Sequence, residues 1–217
     1  ILENKKNYQA LISFLNRDLP SINGIKKGDN IIKTNNFYLE IPNIISNLKN
    51  SYLYLQGPPG TGKSSTCAAT ILELIKKKKK IAITANSHPV IHNLLDRIEV
   101  LANKKNISFK GIKAGKSDKN DYSYYDGKFI KTNNNDKIWI NAINDNSTSV
   151  YAGTKFHLSR GYCYNKFDYL IIDEAGQISL ADLIALGGIA KNIILVGDQM
   201  QLGQPIQGNH PGQSGQS

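Results

Sequence analysis

The 217-residue sequence holds only two cysteines, Cys67 and Cys163, one tryptophan and one methionine, Met200. Two cysteines cannot make a disulfide framework, so stability has to come from a packed core. The four histidines, His88, His92, His157 and His210, are scattered, and no Cys/His group has zinc-ligand spacing. No apolar run approaches the roughly 18 residues of a membrane span, and no secretory leader is visible. These absences argue against a disulfide-stapled secreted module, a zinc-bound fold and a helical membrane protein, and a reducing cytoplasm fits. The chain starts at Ile1 and ends in small polar residues, which reads as a piece of a longer protein.

Basic charge is plentiful. Lys and Arg number 27 against 17 Asp and Glu, a formal net charge of +10. Such a balance favours a polyanionic partner, because clustered cations bind phosphates and release counterions. Many of the lysines sit beside asparagine and isoleucine, however, as in proteins from AT-rich genomes, so charge alone leaves the partner open. The Lys76–Lys80 run reads as a solvated helix end, where cations complement the terminal carbonyls.

The first 50 residues combine a short amphipathic stretch, Tyr8 to Leu15, with turn-rich sequence, and read as a lead-in. From Tyr52 the texture changes to short apolar runs that suit buried parallel strands: 52–55, 81–84, 149–152, 169–172 and 192–196. Helical patterns separate several of them, at Lys63 to about Lys76, Pro89 to Leu101 and Ser179 to Leu186. Alternating strands and helices imply a parallel sheet with helices on both faces, and ligands at the carboxyl ends of the strands. The polar stretch around 103–146, with one apolar island at Ile138-Trp139-Ile140, reads as an insertion on that sheet.

Gly57-Pro58-Pro59-Gly60-Thr61-Gly62-Lys63-Ser64 fits G-x-x-x-x-G-K-[ST], between an expected strand and an expected helix. In such a loop consecutive N–H groups and the helix N-terminus face phosphates, so residues 57 to 65, through Ser65, are candidates for holding ATP. Lys63 would reach the β- and γ-phosphates, and the Ser64 hydroxyl would ligate Mg²⁺. Asp173 and Glu174 end the apolar run Tyr169-Leu170-Ile171-Ile172. There Asp173 would hold Mg²⁺ and Glu174 would act as general base toward water. Together these features describe an α/β P-loop nucleotide hydrolase.

The residues beyond Glu174 separate the families that share these features. Asp173-Glu174-Ala175-Gly176-Gln177 resembles motif II of superfamily 1 helicases, especially the 5′-to-3′ group that includes the nonsense-mediated-decay helicase. Gly197-Asp198-Gln199-Met200-Gln201-Leu202 resembles motif III, Thr84-Ala85-Asn86-Ser87-His88 motif Ia, and Ala152-Gly153-Thr154 motif Ic. With Gln204 to Pro211, the set is similar to bacterial helicases often fused to a RecB-family nuclease.

The resemblance implies the first RecA-like domain of a helicase over residues 51–217. A second such domain of the same full-length chain would then supply the arginine finger. It implies a single-stranded DNA or RNA track lined by Thr84, Asn86, Ser87 and Thr154, and Gln201 as γ-phosphate sensor. Ser87 has a second reading as the cap of the helix near Pro89, and Thr154 as a turn residue. The family's adenine-recognising glutamine has no match, since Gln9 is too far from the P-loop and Gln56 too close. The competing readings are an AAA+ ATPase and a module that binds ATP without turnover. Gly197-Asp198 with Gln201 argues against the first, and the intact Asp173-Glu174 pair against the second.

Overall fold

The computed structural model describes residues 5–34, 36–58 and 60–198. In chain order the regular elements are α1 (Gln9–Leu15), α2 (Phe37–Ser46), β1 (Tyr52–Gln56), α3 (Lys63–Lys76), β2 (Ile81–Thr84) and α4 (His88–Lys104). They are followed by β3 (Lys110–Lys113), β4 (Ile130–Thr132), α5 (Asp136–Asn144), β5 (Thr148–Ala152), α6 (Lys155–Leu158), β6 (Phe167–Ile172), α7 (Leu180–Leu186) and β7 (Ala190–Gly197). The strands form one seven-stranded sheet in the order β1-β7-β6-β2-β5-β3-β4, and every pairing is parallel.

Strand periodicity decides the two faces. Ile81, Ile83, Val150, Tyr169, Ile171, Ile194 and Val196 point to one side, where α2, α3 and α4 cover them. Their neighbours Ala82, Tyr151, Leu170, Ile172, Ile193 and Leu195 point to the other, against α1, α5 and α7. Both faces are covered, so the strands read as continuous apolar runs rather than alternating ones. Each large side chain buried this way contributes about 1.5–3 kcal/mol of transfer free energy. This is the RecA-like α/β architecture, and it brings the carboxyl ends of all the strands to one edge.

Two segments are more deeply built into the body than their sequence suggests. Leu11 of α1 is fully buried on one face, and Ile44 and Ile45 of α2 are buried on the other. An antiparallel bridge between Ile22 and Leu48 closes the turn-rich stretch between them. Residues 1–50, expected as a lead-in, therefore supply core. The partners that bury these short helices are α3 for α2 and the distant β7 for α1, and periodicity within either helix cannot show them.

The polar stretch after residue 103 likewise adds β3 and β4 as edge strands of the sheet and packs α5 on its face. The Glu99 carboxylate accepts from the backbone N–H groups of Lys128, Phe129 and Ile130 at 2.9–3.2 Å, which fixes the entry to β4. The apolar island is a turn of α5 with Trp139 fully buried, its Nε1–H donating to the Asn133 carbonyl at 2.9 Å. Strands this short, Lys110-Gly111-Ile112-Lys113 and Ile130-Lys131-Thr132, carry too little pattern to announce themselves.

Candidate functional site

The P-loop leaves β1 at Gln56 and enters α3 at Lys63. Gly60 and Gly62 have φ of +82° and +81°, a left-handed backbone that costs a side chain but not glycine. At Gly62 a Cβ would also collide with the Tyr38 hydroxyl from α2. The Thr61 hydroxyl donates to the Pro58 carbonyl at 2.7 Å, and the Lys63 ammonium donates to the carbonyls of Gly57 and, at 2.9 Å, Pro58. These bonds curl the loop back on itself. Pro59, Gln201 and the Gln204 to Pro211 stretch lie outside the described residues.

Asp173 and Glu174 follow β6, whose neighbours are β2 and β7. Glu174 adopts φ 53°, a left-handed conformation that costs a residue with a Cβ roughly 1–2 kcal/mol. Strain of this kind persists where surroundings over-determine it, and it clusters at working sites. The Glu174 N–H donates to Asp173 Oδ1 at 3.0 Å. Burial pushes the Asp173 carboxyl above its ordinary range, against the pull of Lys63 and Arg97.

A cavity of about 530 Å³ gathers these groups: Gly60, Lys63, Ser64, Asp173, Glu174 and Arg97 line it. A hydroxyl and a desolvated carboxylate facing one polar cavity fit a hard divalent cation, which takes oxygen ligands and favours the charged form of Asp173. Arg97 has no place in any of the sequence motifs. It lies on α4 at the same face as Val90 and Asn93, two turns and one turn earlier, and its guanidinium donates to Ser65 Oγ at 3.4 Å. Its one sequence signal is the spacing i, i+3, i+7 from Val90, but only the packing of α4 on α3 shows what that face meets.

A second cavity, of about 500 Å³, opens on the other side of the P-loop and is mostly apolar. Ile31, Phe37, Tyr38, Ile41, Leu55 and Pro58 are among its walls, with Tyr38 donating to the Thr61 carbonyl at 3.4 Å. It is a candidate place for a flat ring beside the phosphate loop.

The motif Ia and Ic residues meet at the carboxyl edge, because β2 and β5 are neighbours and the Gly153 N–H donates to the Ile83 carbonyl at 3.0 Å. Their side chains are placed differently from one another. Thr84 is 1 % exposed and its hydroxyl has no hydrogen-bond partner, so it offers no surface. Asn86 donates to the Gln177 carbonyl at 2.9 Å. Ser87 caps α4, accepting from the Val90 N–H. Thr154 stands at the N-terminus of α6, half-buried, without a side-chain cap bond.

The family model described as type III restriction enzyme, res subunit, matches residues 8–200. The chain belongs to this family. It is a helicase-type ATPase domain of RecA-like fold. It is 32% identical over 158 residues to the DNA replication ATP-dependent helicase/nuclease DNA2 of Saccharomyces cerevisiae, covering 70% of this chain and 10% of that protein. To the corresponding dna2 protein of Schizosaccharomyces pombe it is 28% identical over 171 residues, 76% of this chain and 12% of that one. The chain thus spans about a tenth of the length of these relatives. Among solved structures it is similar to the UvsW helicase from bacteriophage T4, at 15% identity and a TM-score of 0.49 over 83% of this chain and 57% of that one. That likeness is too loose to carry residue roles.

Among the described residues no helix is long and apolar enough to cross a membrane. Both cysteines are buried free thiols.

Proposed function

We propose that the domain binds ATP with Mg²⁺ and hydrolyses it to ADP and phosphate when single-stranded nucleic acid lies along the carboxyl edge of the sheet. The observation that carries this reading is the single cavity shared by the P-loop, Asp173, Glu174 and Arg97. Lys63 and the loop N–H groups hold the β- and γ-phosphates. Ser64 and Asp173 hold the Mg²⁺, which supplies charge neutralisation on the phosphate oxygens when bound. The base rests in the apolar slot against Tyr38, which Gln56 also lines.

Glu174 accepts the proton of the water whose oxygen bonds to the γ-phosphorus, while the bond from that phosphorus to the bridging oxygen breaks and ADP leaves. Arg97 stands over the same space as a fixed cation. Gln201, if it follows the resemblance, senses the γ-phosphate, and Asn86, Ser87 and Thr154 border the track. A second RecA-like domain in the same full-length protein completes the site. The buried free thiols suit a reducing, cytoplasmic compartment.

The test is phosphate release with and without a thymidine oligonucleotide. Stimulation by the single strand supports the reading, and equal rates with single strand, duplex and no nucleic acid overturn it. The same experiment separates an AAA+ ATPase, which needs no strand, from a pure binder, which releases no phosphate.

A further inference from the structure

The loop after β3 carries a group of residues that the ATP site does not use. Residues 115–123 fold back on themselves: Lys116 pairs with Asp121 at 2.9 Å, and Asp121 accepts from the Ser123 hydroxyl at 2.6 Å and its N–H at 2.9 Å. The Ser123 hydroxyl in turn accepts from the Lys116 N–H at 2.9 Å. Gly115 is required here, since a Cβ would strike the Ser123 carbonyl.

Lys113, the last residue of β3, is completely buried. Its ammonium donates to the Ser123 carbonyl and sits 2.9 Å from Nδ1 of His88, the first residue of α4. Burial pushes Lys113 down to about 8, which leaves it protonated at neutral pH. An ammonium only donates, so Nδ1 accepts and the imidazole proton stands on Nε2. Burial first, and the charge of Lys113 second, push His88 down to about 4, so the ring is neutral. Tyr122 meets the same imidazole edge-on, with ring centroids 5.3 Å apart at 75°, and is itself 74% exposed.

This cluster lies beside the motif Ic edge. The Ala114 N–H donates to the Ala152 carbonyl at 2.7 Å, and Gly153 packs on Ala114. Beyond Thr154, Phe156 is 76% exposed with Lys155 Nζ 5.5 Å from its ring centre. A large aromatic face left open in a polar loop, with a neutral donor beside it, matches a chain that offers unpaired base faces and phosphate oxygens. Duplex, whose bases are already stacked, offers no such face.

We propose that Tyr122 and His88 form a further contact with the single strand, the Tyr122 ring stacking a base and His88 Nε2–H donating to a phosphate oxygen. Lys113 is the positioning residue that fixes the imidazole in that tautomer. The inference rests on the nucleic-acid reading above; Tyr122 and Lys113 lie outside the motifs that carry it, and His88 closes the motif Ia match.

The test uses a thymidine oligonucleotide bearing one 2-aminopurine, whose fluorescence is quenched on stacking, titrated into the protein at low salt. Tyr122→Ala, at an exposed position, weakens binding about tenfold and removes the quench, while Tyr122→Phe keeps both. Nitrogen-15 spectra of the imidazoles, assigned with His88→Gln, show the His88 proton on Nε2 at neutral pH, and Lys113→Met scrambles the tautomers. Should Lys113→Met fail to fold, the wild-type spectrum still decides, because a proton on Nδ1 overturns the proposal. Unchanged affinity and quench in Tyr122→Ala also overturn it while leaving the helicase reading intact. Absence of any single-strand binding by the wild type overturns both.

Discussion

The side-chain amide of Asn86 donates to the main-chain oxygen of Gln177 at 2.9 Å and approaches its side-chain oxygen at 3.3 Å. One residue follows β2 at the motif Ia edge, and the other closes the short turn after Glu174. A shift of Glu174, the proposed general base, would therefore reach the edge where the strand is proposed to lie, and the reverse. Replacing Asn86 by Ala removes a hydrogen bond of about 1 kcal/mol, and the ratio of strand-stimulated to unstimulated phosphate release should fall roughly fivefold. A ratio equal to that of the wild type would mean that this contact does not couple the two sites.

Arg97 gives the second prediction. It lines the same cavity as Lys63, Asp173 and Glu174 from α4, and its charge acts on Asp173. Arg97→Ala should lower kcat by about tenfold or more, short of the 10³–10⁵ of an arginine finger, with KM changed much less. Arg97→Lys should recover part of the loss. A rise in KM at constant kcat would instead assign Arg97 to ground-state binding.

Acid should weaken the fold through histidine. His157 is 9% exposed, its ring centre 4.2 Å from that of Trp139 and its Nε2 3.2 Å from the Tyr162 hydroxyl. Burial first and Arg160 second push it down to about 4, and His88 moves the same way. The unfolded chain takes these protons near pH 6.5, whereas the folded one resists until about pH 4. Stability is therefore full above pH 6.5 and lost as pH falls toward 4, with His157 accounting for on the order of 2–3 kcal/mol. Urea unfolding between pH 7 and 4.5 should show this slope, and His157→Gln should flatten it. A slope identical in the variant would assign the acid sensitivity elsewhere.

Trp139 tests whether the polar stretch is structural. Truncating this fully buried side chain to alanine should cost about 3–5 kcal/mol of global stability, and Trp139→Phe clearly less. Denaturant unfolding measures both. A loss under about 1 kcal/mol in Trp139→Ala would mean that α5 is an appendage to the sheet.

The phosphate loop and the central strands were legible because each needs residues that few other structures need. Glycine at two left-handed positions, a lysine after them, and apolar runs ending in carboxylates leave a local trace, and α3 runs from Lys63 to Lys76 as the pattern implies. Lys113 and Tyr122 left none, and Arg97 only its spacing along α4. Arg97 matters through the packing of α4 on α3, and Lys113 looks like any solvated lysine until β3 is seen to close over it. Thr84 shows the converse, since its place in motif Ia suggests a surface role while the strand buries it. The burial of α1 and α2 was equally hidden, because their partners lie outside either helix.

The most direct test of the ATP site pairs two substitutions, Lys63→Ala and Glu174→Gln, in fluorescent-nucleotide binding beside phosphate release. If Lys63 grips phosphates and Glu174 activates water, the first variant loses nucleotide affinity, while the second keeps it and turns over at least 10²-fold more slowly, as loss of a general base implies. Wild-type turnover by Glu174→Gln, or wild-type nucleotide affinity in Lys63→Ala, would contradict the account.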